Sequence, residues 1–516
     1  MKNNNLIEIA TSTGKLEGLK ENDVMIFKGV PYARTPDGSR RFKKPLKAYP
    51  STKKINCRSF GDCAAQIEPP RNKHFLWLLN QSKSTEDCLN LNIYAPTDVN
   101  EKIPVMVYFH GGAYSFGSAT APTVDGRCLA KAGKVVVVTV NHRLGIFAHL
   151  SSTESAQESA NGSANAGILD LIESLRWVQE NISTFYGDPS NITIFGQSGG
   201  AGKVAMLMRS PLAKGLFHKA ILQSTANGFY AQPDAQAKSY TESVLKYFGL
   251  NLGDFGKLRE KGTQELLNAM VEVKKLNNGF DPFRPTVDNE VIFEVSQENP
   301  LVHTDIPILI GCTETECTYY LTNNMSNLHI IKSELIRKIK NFTGLNADKA
   351  NLLINEYKYA FPSFSNYEIL SYITSDLMFK APSFHTAGKL SSLGFENIYT
   401  YLFSLNVSER YPYLGSPHTV ELPFIFGNLD LSKEAIDQNI INYKVMREMM
   451  LCWSHFAYTG RPFIEGIDWP AYDNKTKKTM IFDTSNELVK DPFQINSSIL
   501  SSYPKLQPGS SINFIN

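Results

Sequence analysis

The chain has 516 residues, 42% of them hydrophobic and 20% charged, so it can bury a large core and lacks the composition of a disordered protein. Fifty-two basic against fifty acidic residues leave a net charge of +2 with no basic run, which argues against nucleic acid as a main partner. No apolar stretch approaches the ~20 residues of a membrane-spanning helix. The seven cysteines (Cys57, Cys63, Cys88, Cys128, Cys312, Cys317 and Cys452) form no C-x-x-C pair, so no metal site is expected.

From the N-terminus onward, residues Met1 to Glu8 contain no apolar run of the kind a secretion signal needs. This predicts a cytoplasmic protein, or a secreted one if the chain is a processed form. Short apolar, β-branched runs then alternate with amphipathic stretches, the pattern of a mostly parallel sheet covered by helices. The clearest strands are Pro104 to Phe109, Val135 to Val140, Ile192 to Phe195, Ala220 to Gln223, Ile306 to Ile310, Ile398 to Phe403 and Thr479 to Phe482. Ile168, Leu171, Ile172, Leu175, Val178 and Ile182 recur at helical spacing, predicting a helix from about Gly167 to Ile182. No linker or repeat divides the sequence. The expected architecture is therefore α/β, one domain over 1–516, with helical insertions at about 230–300 and 320–395.

The strand at Ile192 to Phe195 runs into Gly196-Gln197-Ser198-Gly199-Gly200 and then into the helix-compatible Lys203 to Met208. A G-x-S-x-G between strand and helix is the setting of a nucleophile elbow, where glycines permit close backbone approach and the serine Oγ projects at a helix head. A phosphate loop fails here. The glycines at 196 and 202 are one residue too far apart, and Val204 follows Lys203 where a hydroxyl is required.

A serine nucleophile needs a base, a carboxylate to orient the base, and donors for an oxyanion. On an α/β-hydrolase fold the chain order is serine, acid, histidine. His418, in a loop after a strand (Gly415-Ser416-Pro417-His418), is placed where a mobile base belongs. His385 reads as part of a helix start, His455 as a core residue in an aromatic helical run, and His329 carries no distinguishing context. Glu314 and Glu316, after the strand ending at Ile310, are both candidates for the acid, and the pattern does not choose between them. Strand Val105 to Phe109 ends in His110-Gly111-Gly112-Ala113-Tyr114, whose small residues could present N–H groups to a substrate oxygen together with that of Gly199.

With these residues in place, the chain resembles the type-B carboxylesterase family of the α/β-hydrolase superfamily, which includes cholinesterases and bacterial para-nitrobenzyl esterases. The resemblance rests on Phe27 to Ala33 with Arg41-Phe42 and Pro45, on Glu86 to Asn92, on Asn141 to Gly145, on Asn165 to Asp170, and on Trp453, Phe456, Ala457, Thr459-Gly460, Pro462 and Trp469-Pro470. These motifs occur in order along nearly the whole chain. The resemblance implies a cofactor-free serine hydrolase acting on small carboxylic esters through an acyl-enzyme. It implies Ser198 as nucleophile, Glu316 as acid, His418 as base, and Gly112, Ala113 and Gly199 as oxyanion donors. It maps the family's first disulfide to Cys63 and Cys88, a pair that a cytoplasm would keep reduced, and a buried ion pair to Arg143 and Asp170.

Several positions depart from the family pattern. Gln197 replaces a glutamate, Gly199 an alanine and Ala113 a glycine; Cys317 and Thr225 stand where glycine is common. None removes a catalytic group, and the missing charge at 197 weakens any case for a cationic substrate. Trp77 lies near the choline-binding tryptophan of cholinesterases, although a pocket wall or core role is the plainer reading. Phe280 and Phe283 fall in a region resembling the family's acyl pocket, which they line or simply pack beside. Amide or carbamate cleavage on the same triad is the nearest alternative, and a non-catalytic binding homologue the more distant one.

Overall fold

The computed structural model describes residues 5–69, 72–152, 163–226, 231–277, 281–294 and 305–503. Twelve strands form the main path of its large sheet. In chain order they are β1 (Leu6–Thr11), β2 (Gly14–Glu21), β3 (Val24–Pro31), β4 (Asn90–Pro96), β5 (Ile103–Phe109), β6 (Val136–Val140), β7 (Gly187–Gln197), β8 (Lys219–Gln223), β9 (Ile308–Thr313), β10 (Ile398–Phe403), β11 (Lys478–Phe482) and β12 (Glu487–Lys490). The spatial order is β1-β2-β3-β4-β6-β5-β7-β8-β9-β10-β11-β12. From β6 through β11 every neighbouring pair is parallel. The β1–β4 margin and the β12 edge are antiparallel.

The parallel strands are apolar throughout because helices cover both faces. Along β5, Val105, Val107 and Phe109 face one layer with Ile168, Leu171, Leu175 and Val178 of helix α1 (Ala166–Asn181). Met106 and Tyr108 alternate to the other layer, with Phe195, Ile221, Leu309, Trp453 and Phe456. The last two of these belong to a long helix, Ile440–Thr459. Two further apolar clusters consolidate the insertions. One gathers Val244, Leu266, Met270 and Phe283; the other gathers Leu335, Ile339, Leu353, Tyr357 and Ile373.

All seven predicted strands and the predicted helix are present, with ends moved by a few residues. The largest shift is at β7, which begins at Gly187 and changes register before Ile192. The antiparallel margin was not legible as strands. β1 is exposed or half-buried along its length and so carries no apolar run. β4 is interrupted by Asn90 and Asn92, which are buried because their side chains bind backbone: Asn92 Oδ1 accepts from Gly29 N (3.0 Å) and its Nδ2 donates to the Ala119 carbonyl (3.0 Å). His455, expected in the core, is instead partly exposed, with Nδ1 donating to the Arg461 carbonyl at 2.8 Å. Among the described residues no helix is long and apolar enough to cross a membrane. All seven cysteines are free thiols, Cys63 and Cys88 included.

Arg143 and Asp170 form the buried ion pair that the resemblance implied, with Nη2–Oδ1 at 2.6 Å and Nε–Oδ2 at 2.8 Å. Arg143 also donates to the Lys43 carbonyl (2.7 Å), tying the segment after β6 to α1 and to the N-terminal margin. Removing one partner leaves an uncompensated buried charge, so Asp170→Ala should lower unfolding free energy by about 3–5 kcal/mol. Urea titration of the variant checks this; a loss under ~1 kcal/mol would show that the arginine is resolvated at little cost.

Candidate active site

The C-terminal ends of the parallel strands converge on one point, as open α/β sheets require of their ligand sites. β7 ends at Gln197, and Ser198 follows with φ 58° and ψ −124°, outside the helical and extended regions. Helix α2 (Gly199–Met208) starts directly after it. The turn is held by Ser198 N donating to the Gln223 carbonyl at the end of β8 (2.8 Å) and by Gly202 N donating back to the Ser198 carbonyl (3.0 Å). Its glycines are needed for space. A Cβ on Gly196 would sit 2.4 Å from the Gly200 carbonyl carbon, and one on Gly200 would sit 2.0 Å from the Phe109 oxygen.

Glu316 follows β9 and is fully buried. Its Oε1 accepts from Ser224 Oγ (2.5 Å) and Thr313 N (2.8 Å), and its Oε2 accepts from His418 Nδ1. Glu314, the other candidate, pairs with Lys380 instead (3.0 Å). Because a carboxylate only accepts, the proton of His418 sits on Nδ1 and Nε2 carries the basic lone pair. The Gln197 amide lies against the same ring, 3.3 Å from both nitrogens, so the residue next to Ser198 touches the histidine. Phe379, Tyr320 and Tyr319 enclose the ring at centroid distances of 4.5, 5.6 and 5.9 Å. Glu421 is buried beside Glu316. Burial first, and the Glu316 charge second, push its carboxyl well above the usual carboxylate range.

The loop after β5 packs on the serine turn: a Cβ on Gly111 would lie 3.4 Å from Ser198 Cβ, and one on Gly199 would lie 2.2 Å from the Ala113 oxygen. Gly199 stands where the family often carries alanine, and the loop uses the space a methyl would take. Three consecutive carbonyls of this loop are anchored to protein donors. The His110 carbonyl accepts from Lys203 Nζ (2.8 Å), Gly111 from the His110 ring Nδ1 (2.9 Å), and Gly112 from Ser115 N (3.2 Å) and Phe116 N (3.1 Å). In a planar trans peptide the next N–H lies opposite the carbonyl. Those anchors therefore turn the N–H groups of Gly111, Gly112 and Ala113 the other way. Gly199 N–H, at the first turn of α2, has no partner within its own helix. Such an array can hold an oxyanion.

Ser198, Ser224, Thr419 and Ala113 all have positive φ (58°, 54°, 75° and 52°), which gathers four strained non-glycine positions at one site. Of the candidate pocket residues, Trp77 is buried two rings away from His418, edge-on to Phe75 (5.3 Å), which contacts Tyr319 (4.4 Å). It also borders a surface cavity of about 340 Å³. Phe283 lies in the core of an insertion; its segment is tied to the loop after β5 through Asp281, which accepts from Ser115 Oγ. Phe280 lies outside the described residues. Sequence reasoning gave no role in the site to Ser224, Glu421, Phe379 or the two tyrosines. Tyr319 and Tyr320 follow Glu316 by three and four residues, one helical turn, and that spacing was the available signal.

This fold, with a strained serine at the head of a helix and a Glu–His pair beside it, defines an α/β hydrolase. The chain belongs to the carboxylesterase family, whose model matches residues 5–498, and it is a carboxylesterase. It is 34% identical over 496 residues to the para-nitrobenzyl esterase of Bacillus subtilis, covering 94% of this chain and 96% of that one. Among solved structures, a Geobacillus stearothermophilus carboxylesterase superposes with TM-score 0.80 at 32% identity, over 95% of this chain and 99% of that one. A thermophilic para-nitrobenzyl esterase also gives 0.80, at 30% identity, covering 96% and 99%.

Three buried histidines lie in or against the loop after β5: His110 begins it, His142 stacks on His110 and His149 packs on Tyr114. Burial holds His149 down at about 3 and pushes His110 and His142 well below the usual imidazole value. They stay neutral in the folded state while the unfolded chain protonates them near 6.5. The His149 contribution is complete above pH 6.5 and is lost as pH falls from there toward about 3, at about 1.4 kcal/mol per unit, and His110 and His142 act in the same sense. Urea unfolding at pH 7, 6 and 5 should show falling stability, with a slope shallower by about that amount in His149→Gln. An unchanged slope in the variant would place the acid sensitivity elsewhere.

Proposed function

We propose that the protein hydrolyses small carboxylic esters through an acyl-enzyme formed on Ser198, with His418 as base and Glu316 as its orienting acid. The observation that carries this reading is the His418 Nδ1–Glu316 Oε2 hydrogen bond beside the strained serine turn. As Ser198 Oγ bonds to the ester carbonyl carbon, its proton passes to His418 Nε2, and the carbonyl electron pair becomes an oxyanion. The backbone N–H groups of Gly112, Ala113 and Gly199 hold that charge; each such donor is worth about 3 kcal/mol of barrier. Collapse of the intermediate breaks the bond to the alcohol oxygen, which takes the proton from His418. Water then attacks the acyl-enzyme carbonyl and gives a proton to His418, which passes it to Ser198 Oγ as the acyl C–Oγ bond breaks and the acid leaves. Glu316 stays ionised and stabilises the imidazolium.

Mixing excess para-nitrophenyl butyrate with the enzyme should release a burst of about one equivalent of nitrophenol before steady turnover. Ser198→Ala should abolish burst and turnover, by ~10⁶-fold in kcat. Glu316→Gln should keep the fold but lose about 10⁴-fold, since it alters the histidine's orientation and charge balance. A folded Ser198→Ala protein that still bursts would overturn the reading.

A further inference from the structure

Lys203 is a buried cation for which neither the family resemblance nor the proposed mechanism has a use. It sits on the second turn of α2 and is 1% exposed. Among the described residues no carboxylate pairs with it. Its ammonium donates to the His110 carbonyl (2.8 Å) and lies 5.9 Å from the Tyr114 ring centroid. The ionisable groups nearest in electrostatic terms are His110, His142 and His149, all held neutral by burial. Burial also lowers Lys203 itself, to about 7. An unpaired lysine so deep is a liability for folding, and an apolar side chain of similar length would fill the space at less cost.

We propose that Lys203 is a positioning residue for the oxyanion loop: its ammonium grips the His110 carbonyl and so fixes the His110–Gly111 peptide, the root from which the Gly112 and Ala113 N–H groups are presented to the reacting carbonyl. The inference rests on the ester-hydrolase reading of Ser198. The geometry runs in one direction. Lys203 and Ser198 are carried by the same turn and helix, so the grip references the loop after β5 directly to the nucleophile. The stacked rings of His110 and His142 (4.7 Å, 13° between planes) back the loop from the other side, with His110 Nδ1 fixing the Gly111 carbonyl. Without the ammonium, the His110–Gly111 peptide loses the partner that holds its carbonyl inward, and the following donors lose their registration to the oxyanion. Ground-state binding of the ester depends little on those donors, because they bind the transition state best.

The test compares Lys203→Met and Lys203→Gln with wild type, using para-nitrophenyl butyrate turnover, inhibition by an aliphatic trifluoromethyl ketone, and thermal unfolding. The ketone forms a tetrahedral oxyanion adduct with an active serine and so reads the loop directly. Lys203→Met should lose at least ~10-fold in kcat with KM within about twofold, and should bind the ketone weaker by the same factor as kcat/KM. Its melting temperature should be unchanged or higher, the opposite of what a merely structural lysine would give. Lys203→Gln, which keeps a donor, should recover part of the lost kcat. Turnover and ketone affinity within twofold of wild type in both variants would overturn the proposal. So would activity loss that only tracks a falling melting temperature. If Lys203→Met does not fold, the Lys203→Gln comparison decides alone, on ketone affinity against melting temperature. An active Ser198→Ala control would sink the ester-hydrolase reading itself; an inert control with unimpaired Lys203 variants would sink only this inference.

Discussion

Side chains at positions 196, 199 and 200 would each collide with backbone, at 2.4, 2.2 and 2.0 Å from the nearest atom. The turn after β7, the end of β5 and the loop that follows β5 can therefore come together only as bare main chain. That crossing sets the distance between Ser198 and the N–H groups of Gly112, Ala113 and Gly199, and it fixes where β5 and β7 end relative to one another. The strained serine is a consequence. Its conformation is imposed by the strand on one side, the helix on the other, and the hydrogen bond from its own N–H to Gln223. Strain of 1–3 kcal/mol survives only where the surroundings over-determine it, and here β5, β7, β8 and α2 all do.

Charge at the site is allotted with equal economy. Glu316 is buried, yet three donors (Ser224, Thr313 and His418) satisfy its oxygens. Glu421, close by and without comparable donors, is pushed toward its neutral form. In the proposed mechanism a second negative charge would compete with Glu316 for the imidazolium. Lys203, the other buried titratable group of the serine turn's own helix, meets the site through the His110 carbonyl.

Much of this was legible in the chain because the relevant signals are local. The parallel strands announced themselves as short β-branched runs, and Ser198 by its glycines in a strand-to-helix setting. Glu316 and His418 required the family resemblance, since residue pattern left Glu314 and the other histidines open; the structure distinguishes Glu314 by its pairing with Lys380, a partner 66 residues away. Ser224 and Phe379 reach the site only through tertiary placement. The antiparallel margin escaped for a different reason. β1 faces solvent, and β4 buries asparagines whose partners lie on other strands and loops, so neither shows the apolar alternation that marks a half-buried strand.

The helical insertion at about 320–395 bears on chemistry as well as on shape. Its helix Asn366–Ser375 passes into a π-helical turn, Asp376–Lys380, a local widening frequent at functional sites. The turn is secured by Lys380, which binds both Asp376 (2.6 Å) and Glu314 (3.0 Å). Through Glu314 it is tied to the segment that carries Glu316. From this turn Phe379 lays its ring 4.5 Å from that of His418. This insertion therefore packs directly on the ring of the proposed base. A change of pocket on this side cannot be made independently of the histidine's orientation, whereas one on the side of Asp281 and Phe283 meets the oxyanion loop instead, through Ser115. The two insertions thus meet the site at different places, one at the His418 ring and one at the loop after β5.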